Sequence, residues 1–123
     1  MNIAQYTKAA SLEEAWELNQ KRSAVVLGGC CWLRLSPQRR IAQAIDLSAL
    51  GLDQIEEGED SFRLGAMVTL GQLEGHDVLA AFTQGAMKEA VRHIVGTQFR
   101  NMATVGGSIS GRFGFSDIWT LFL

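Results

Sequence analysis

Two stretches of this 123-residue chain carry residues whose types and spacing could hold a ligand. One is Arg100 to Ile109, RNMATVGGSI, where Gly106 and Gly107 follow Thr104; the other is VVLGGCCWL, where Gly28 and Gly29 follow a short apolar run. Glycine lacks a Cβ, so its backbone can take positive φ and come close to a phosphate or carbonyl oxygen. Peptide N–H groups then become the binding groups, and two glycine turns facing one anion is the expected chemistry. Such a cradle needs no positive net charge.

The other reactive side chains form no recognisable set. Cys30 and Cys31 are adjacent, so a disulfide between them would close a strained eight-membered ring. No second Cys pair and no His at ligand spacing accompany them, which leaves small, semi-buried loop residues in a reducing compartment as the reading. His76 and His93 are tied to no carboxylate pattern and read as surface or satisfied structural histidines. No Ser, His and Asp arrangement, no paired catalytic carboxylates and no phosphate-binding GxxxxGK[ST] loop occurs. The chain shows no chemistry of its own, which points to a bound cofactor.

The elements that must position these glycines follow from pattern. Ile3 to Tyr6 reads as a first strand, and Ser11 with Glu14 as a capping box opening a helix. Leu12, Ala15, Trp16 and Asn19 share one face of that helix, with Glu13, Glu14 and Glu17 mostly opposite, which places Trp16 in the core. Ala24 to Leu27 reads as a buried strand ending at the first glycine pair, Pro37 with Arg39 and Arg40 as a turn, and Ile41 to Leu47 as a strand ending at Asp46. The helix at Ser11 supplies the crossover that parallel strands need. After a connector at Ser48 to Leu52, Gln54 to Glu57 and Phe62 to Ala66 form a hairpin around Gly58, Glu59 and Asp60. Thr69 and Gln72 make a second capping box for a short helix stopping near Gly75, with His76 in a loop. Leu79 to Val95 is helical, weakened at Gly85 and closed by Gly96, and Asp117 is placed to cap a last helix. The expected organisation is a first α+β lobe over residues 1–53 and the beginning of a second over 54–123.

Bulk properties narrow the class. With 47% apolar and 20% charged residues the composition is that of an ordinary globular protein, not of a disordered tail. A formal net charge of −2, without a basic cluster beyond Arg39 and Arg40, leaves no footprint for nucleic acid. The N-terminal stretch has no apolar signal core, and no apolar run approaches the ~20 residues that span a bilayer. A cytoplasmic protein without membrane or nucleic-acid partners is expected.

From Gln98 onward, QFRNMATVGGSISGRFGFSDIWTLFL resembles the FAD-binding subunits of molybdenum hydroxylases such as xanthine dehydrogenase and carbon monoxide dehydrogenase. Their pattern is RNxATIGGNI followed by a Ser or Ala and an Asp. Leu27, Gly28, Gly29, Cys30, Cys31 and Trp32 similarly stand where that family has its AGGTDL turn, and IDLSALGLDQI and FRLGAMVTLGQLE match its next two segments. The motifs run in the family's order from about Tyr6 to Leu123.

The resemblance implies an α+β FAD-binding fold of the p-cresol methylhydroxylase and vanillyl-alcohol oxidase type, whose two lobes clamp an extended FAD. It implies that Leu27 to Trp32 meet the FAD pyrophosphate, that Thr104, Gly106, Gly107 and Ser108 lie in the second FAD loop, and that Asp117 is the flavin-side Asp. Cys30 and Cys31 replace the family's Thr and Asp, and Ser108 replaces its common Asn; the backbone cradle does not depend on them. An electron-transfer component is implied, with a molybdopterin-binding large subunit and an iron-sulfur small subunit as partners and NAD or another acceptor downstream. No metal site is expected in this chain, because two adjacent Cys cannot supply four thiolates. The family's FAD domain continues beyond Asp117, and the chain ends on the apolar TLFL, so an N-terminal fragment, inactive alone, is expected. The competing reading is a structural or subunit-docking module of the same fold that binds no flavin.

Overall fold

The computed structural model describes residues 1–36 and 40–123. The turn expected at Pro37 and Arg39 lies outside the described residues. Strand β1 (Asn2–Lys8) leads into helix α1 (Leu12–Asn19), then β2 (Ala24–Leu27), a 3-10 turn at Leu33–Leu35, and β3 (Arg40–Asp46). All three strands are parallel, in the order β1-β3-β2, with Ile3 opposite Ile41 and Leu27 opposite Asp46. The α1 crossover joins the two edge strands, and β3 fills the gap between them. Parallel strands all end on one side, so Lys8, Leu27 and Asp46 share one rim, the place where open parallel sheets bind ligands.

Ser11 caps α1 by accepting the Glu14 N–H at 3.1 Å, while Glu14 Oε2 reaches the Ala10 N–H at 2.7 Å. The helix buries a different stripe from the expected one. Ala15 and Leu18 pack with Ala9 and Ile45, whereas Leu12 is exposed and Trp16 is 65% exposed. Ala15 belongs to both stripes, and its small side chain lets α1 lie close to the sheet, which turns Trp16 outward. β2 is also less buried than expected. It lies at the sheet edge with Val26 exposed, and β3, in the middle, takes the burial with Ile41, Gln43, Ala44 and Ile45. The Gln43 amide, buried there, donates to Thr7 Oγ1 at 3.0 Å and to the Ala44 carbonyl at 3.1 Å, satisfying both of its hydrogens.

The remainder surrounds a larger core. The hairpin of β4 (Ile55–Glu57) and β5 (Phe62–Leu64) is antiparallel, as the turn residues predict. Helices α2 (Leu70–Gly75), α3 (Asp77–Phe82), α4 (Ala86–Arg92), α5 (Thr97–Arg100), α6 (Val105–Ser110) and α7 (Asp117–Phe122) follow. Val68, Leu70, Leu73, Leu79, Val91 and Ile118 form the centre of their core. The Thr69–Gln72 capping box is complete: the Gln72 N–H donates to Thr69 Oγ1 at 3.1 Å and the Thr69 N–H to Gln72 Oε1 at 2.9 Å. The long helix expected over Leu79 to Val95 breaks at Gly85, where φ is +84°, leaving α3 and α4. His76 is a cap and not a free loop residue: its Nδ1 accepts the Leu79 N–H at 3.1 Å. Among the described residues no helix is long and apolar enough to cross a membrane.

Candidate functional site

The loop leaving β2 at the sheet rim meets the start of α6. A Cβ placed on Gly28 would lie 2.7 Å from Thr104 Oγ1 and 3.5 Å from the Gly107 Cα, so the two glycine pairs face one another in direct contact. On Gly29 it would lie 1.7 Å from the Met102 carbonyl oxygen. Glycine at 28 and 29 is what allows this approach.

The two sides contribute unlike groups. Gly106 and Gly107 sit inside α6 and have no positive φ, contrary to the turn expected there. Their amides are already engaged. Val105 N–H donates to the Val68 carbonyl at 2.9 Å, Gly106 N–H to Ala66 at 2.8 Å, Gly107 N–H to Thr104 Oγ1 at 3.2 Å, and Ser108 N–H to the Thr104 carbonyl at 2.9 Å. Thr104 is buried and spent on capping, and a single antiparallel bridge pairs it with Thr69. The second glycine pair therefore gives a close, flat backbone surface and not a row of free donors. A Cβ on Gly106 would strike Ala66, 2.8 Å from its oxygen, which explains the glycine there. The Ser108 hydroxyl has no hydrogen-bond partner among the described residues and stays half-buried.

The first loop has the free donors. Among the described residues, none accepts the backbone N–H of Gly29, Cys30 or Trp32. Cys30 takes a left-handed φ of +59°, a conformation that in succession with right-handed neighbours turns consecutive N–H groups into one concavity. The chain then tightens, with Arg34 N–H donating to the Cys30 carbonyl at 3.0 Å. The Arg34 guanidinium is near enough to favour the thiolate forms of both cysteines, and it supplies a positive charge that sequence reasoning missed. Burial nevertheless dominates and pushes both thiols above their ordinary range, helped at Cys30 by Cys31 and Asp46. Each thiol turns back on its own loop, Cys30 Sγ to the Gly28 carbonyl at 3.3 Å and Cys31 Sγ to that of Gly29 at 3.6 Å. The Asp46 carboxylate on the same rim is held below the usual range, chiefly by the Tyr6 hydroxyl, with the Ser48 N–H on its other oxygen at 2.8 Å.

Other expected residues lie elsewhere or act differently. Asp117 is exposed in the first turn of α7, where Ser116 holds the cap position, so it does not cap the helix. It lines an open cleft of about 580 Å³ against α4 together with Glu89, His93 and Thr120. Arg100 is buried: Nε meets Glu74 Oε2 at 2.8 Å, and the guanidinium also donates to the Ile94 carbonyl and Thr97 Oγ1. Among the described residues no group of three or more His, Cys, Asp or Glu could hold a metal ion.

The parallel sheet and the part that holds the antiparallel hairpin thus meet where the two glycine pairs touch, beside loop amides that find no acceptor among the described residues. The sequence matches, over residues 2–123, the family described as the FAD binding domain in molybdopterin dehydrogenase. The chain belongs to that family, and FAD is the cofactor the family binds. It is 35% identical over 111 residues to the nicotine 6-hydroxylase medium subunit of Paenarthrobacter nicotinovorans, covering 85% of this chain and 38% of that one. It is 33% identical over 113 residues to the uncharacterized protein YgfM of Escherichia coli K12, covering 89% of this chain and 42% of that one. A crystal structure of the Cu,Mo-CO dehydrogenase superposes with a TM-score of 0.79 at 27% identity, over 89% of this chain and 40% of its counterpart. The chain thus spans about two fifths of the length of these relatives. The residues fit the cofactor: among the described residues the N–H groups of Gly29, Cys30 and Trp32 find no acceptor, and the Arg34 guanidinium acts on the same loop, which suits a pyrophosphate.

Proposed function

We propose that the protein is the flavin-holding, electron-transfer component of a molybdenum-containing hydroxylase or dehydrogenase, with its FAD pyrophosphate seated on the Leu27–Trp32 loop. The observation that carries this reading is that the N–H groups of Gly29, Cys30 and Trp32 find no acceptor among the described residues, close to where Gly28 touches Gly107. These amides would receive phosphate oxygens, Arg34 would balance their charge, and Thr104, Gly106, Gly107 and Ser108 would form the opposite wall. Bound FAD supplies two-electron acceptance and stepwise release; the chain's residues bind and orient it. Molybdopterin and iron-sulfur centres belong, in this reading, to a large and a small partner subunit, as the multi-subunit setting of the nicotine 6-hydroxylase medium subunit suggests. NAD or another acceptor takes the electrons, in the cytoplasm, and the two lobes meet near residue 53.

An absorbance scan of the purified protein, with and without added FAD, tests the proposal. Flavin bands near roughly 370 and 450 nm that co-elute with the protein are expected. Gly107→Val, which adds bulk beside Thr104 Oγ1 at 2.9 Å, is expected to lose them with the first lobe still folded. A colourless protein that takes up no added FAD would favour the docking module, and flavin retained in Gly107→Val would sink the assignment of the wall.

A further inference from the structure

An aromatic cluster stands beside the loop, and the glycine chemistry does not account for it. Trp32 ends the loop, and its ring lies 5.4 Å from Phe113 and 5.6 Å from Phe115, centroid to centroid. Phe113 and Phe115 stack on each other at 5.6 Å with 28° between their planes. Phe99, packed on the larger core, touches Trp32 edge-on at 6.2 Å and anchors the group from behind. The backbone is shaped to make this arrangement. Gly111 leaves room for Phe113, whose ring would be 2.3 Å from a Cβ at 111, and Arg112 takes a left-handed φ of +52° to turn the next residues back.

The cluster is not a closed core. Trp32 is 43% and Phe115 70% exposed, so two large rings present surface to solvent at the sheet rim. Exposed aromatic area of this size, next to N–H groups that find no acceptor among the described residues, matches a ligand that is planar at one end and anionic nearby. The position of Trp32 carries Leu in the AGGTDL wording, so the platform comes from this chain's own residues.

We propose that Trp32, Phe113 and Phe115 form a stacking platform for a planar ring system of FAD, next to the loop that receives its phosphates. This rests on the FAD-binding reading above. Isoalloxazine and adenine share the required chemistry, and the experiment separates them.

The test compares the full chain with its Trp32→Leu and Phe115→Ala variants, measuring FAD affinity by titration, emission of the bound flavin, and competition by ADP. Phe115 is the more exposed residue, so its variant keeps the test informative if Trp32→Leu disturbs folding, which circular dichroism monitors. Both variants are expected to bind FAD roughly tenfold more weakly, as loss of an aromatic contact does. If isoalloxazine stacks, bound flavin is strongly quenched in the natural protein and brightens in the variants. If adenine stacks, flavin emission is unchanged and ADP competes more weakly in the variants by the same factor. Natural protein that takes up FAD, alongside variants with unaltered affinity, emission and ADP competition, overturns the platform and leaves the FAD reading standing. Failure of the natural protein to take up FAD overturns both.

Discussion

Gly29→Ala is the sharpest test of how the loop after β2 packs against the segment leading into α6. The new Cβ would sit 1.7 Å from the Met102 carbonyl oxygen, 2.5 Å from its carbon and 2.9 Å from the Ala103 Cα. All three are backbone atoms, so no side-chain rotation relieves the clash. Ordinary contact begins near 3.4 Å, so the loop and residues 102–103 must separate by 3.4 − 1.7 = 1.7 Å. Overpacking of this kind costs about 1–3 kcal/mol, and a backbone obstacle puts it at the upper end. With a urea dependence of about 2 kcal/mol per molar, the unfolding midpoint should fall by about 1 to 1.5 M. Separation also pulls Gly28 from Thr104 and Gly107, so flavin uptake should weaken in the same variant. Gly75→Ala serves as control: its Cβ meets nothing within 4 Å and it is the last residue of helix α2, where the interior preference of about 1 kcal/mol for Ala over Gly is not fully felt, so a midpoint equal to or slightly above that of the unaltered protein is expected. Urea unfolding followed by circular dichroism reads both variants. A Gly29→Ala midpoint equal to that of the unaltered protein would refute the close contact between the first loop and the start of α6.

Two further outcomes follow from the same geometry. Arg100→Ala leaves Glu74 without its partner at a position 27% exposed, together with an unsatisfied Ile94 carbonyl; breaking a buried pair costs about 3–5 kcal/mol, and water reaching Glu74 reduces this to about 2–3 kcal/mol, readable as a lower urea midpoint. Unchanged stability in that variant would remove the structural role assigned to Arg100. The Cys30 and Cys31 thiols, raised above their ordinary value near 9.0 mainly by burial, should alkylate more slowly in the native protein than after unfolding, and the native rate should go on climbing with pH beyond the point where that of the unfolded chain levels off. Because the folded state favours the protonated thiols, their contribution to stability is full below the unfolded pKa and is lost as pH climbs through the folded one. Peptide mass mapping after timed alkylation measures this, and rapid native labelling at neutral pH would contradict the burial.

Much of the local structure can be read from neighbouring residues. The Ser11 and Thr69 caps, the hairpin around Gly58 and the break at Gly85 each depend on residues within a few positions of one another, the parallel crossover follows from the strand, helix, strand order, and the order of the glycine motifs marks the family. Tertiary structure alone decided which face α1 buries, because Ala15 belongs to two possible stripes and only the sheet selects between them. It also decided which glycine loop keeps its donors. Gly106 N–H is consumed by the Ala66 carbonyl and Val105 N–H by Val68, acceptors some forty residues earlier in the chain, whereas the amides of Gly29, Cys30 and Trp32 find none among the described residues. The same holds for Arg100, whose motif position suggests the site but whose guanidinium is spent on Glu74, and for the meeting of Trp32 with Phe113 and Phe115. A hydrogen bond or ring contact between distant segments leaves no local signature, so the sequence offers candidate residues and the fold determines which of their groups are already engaged.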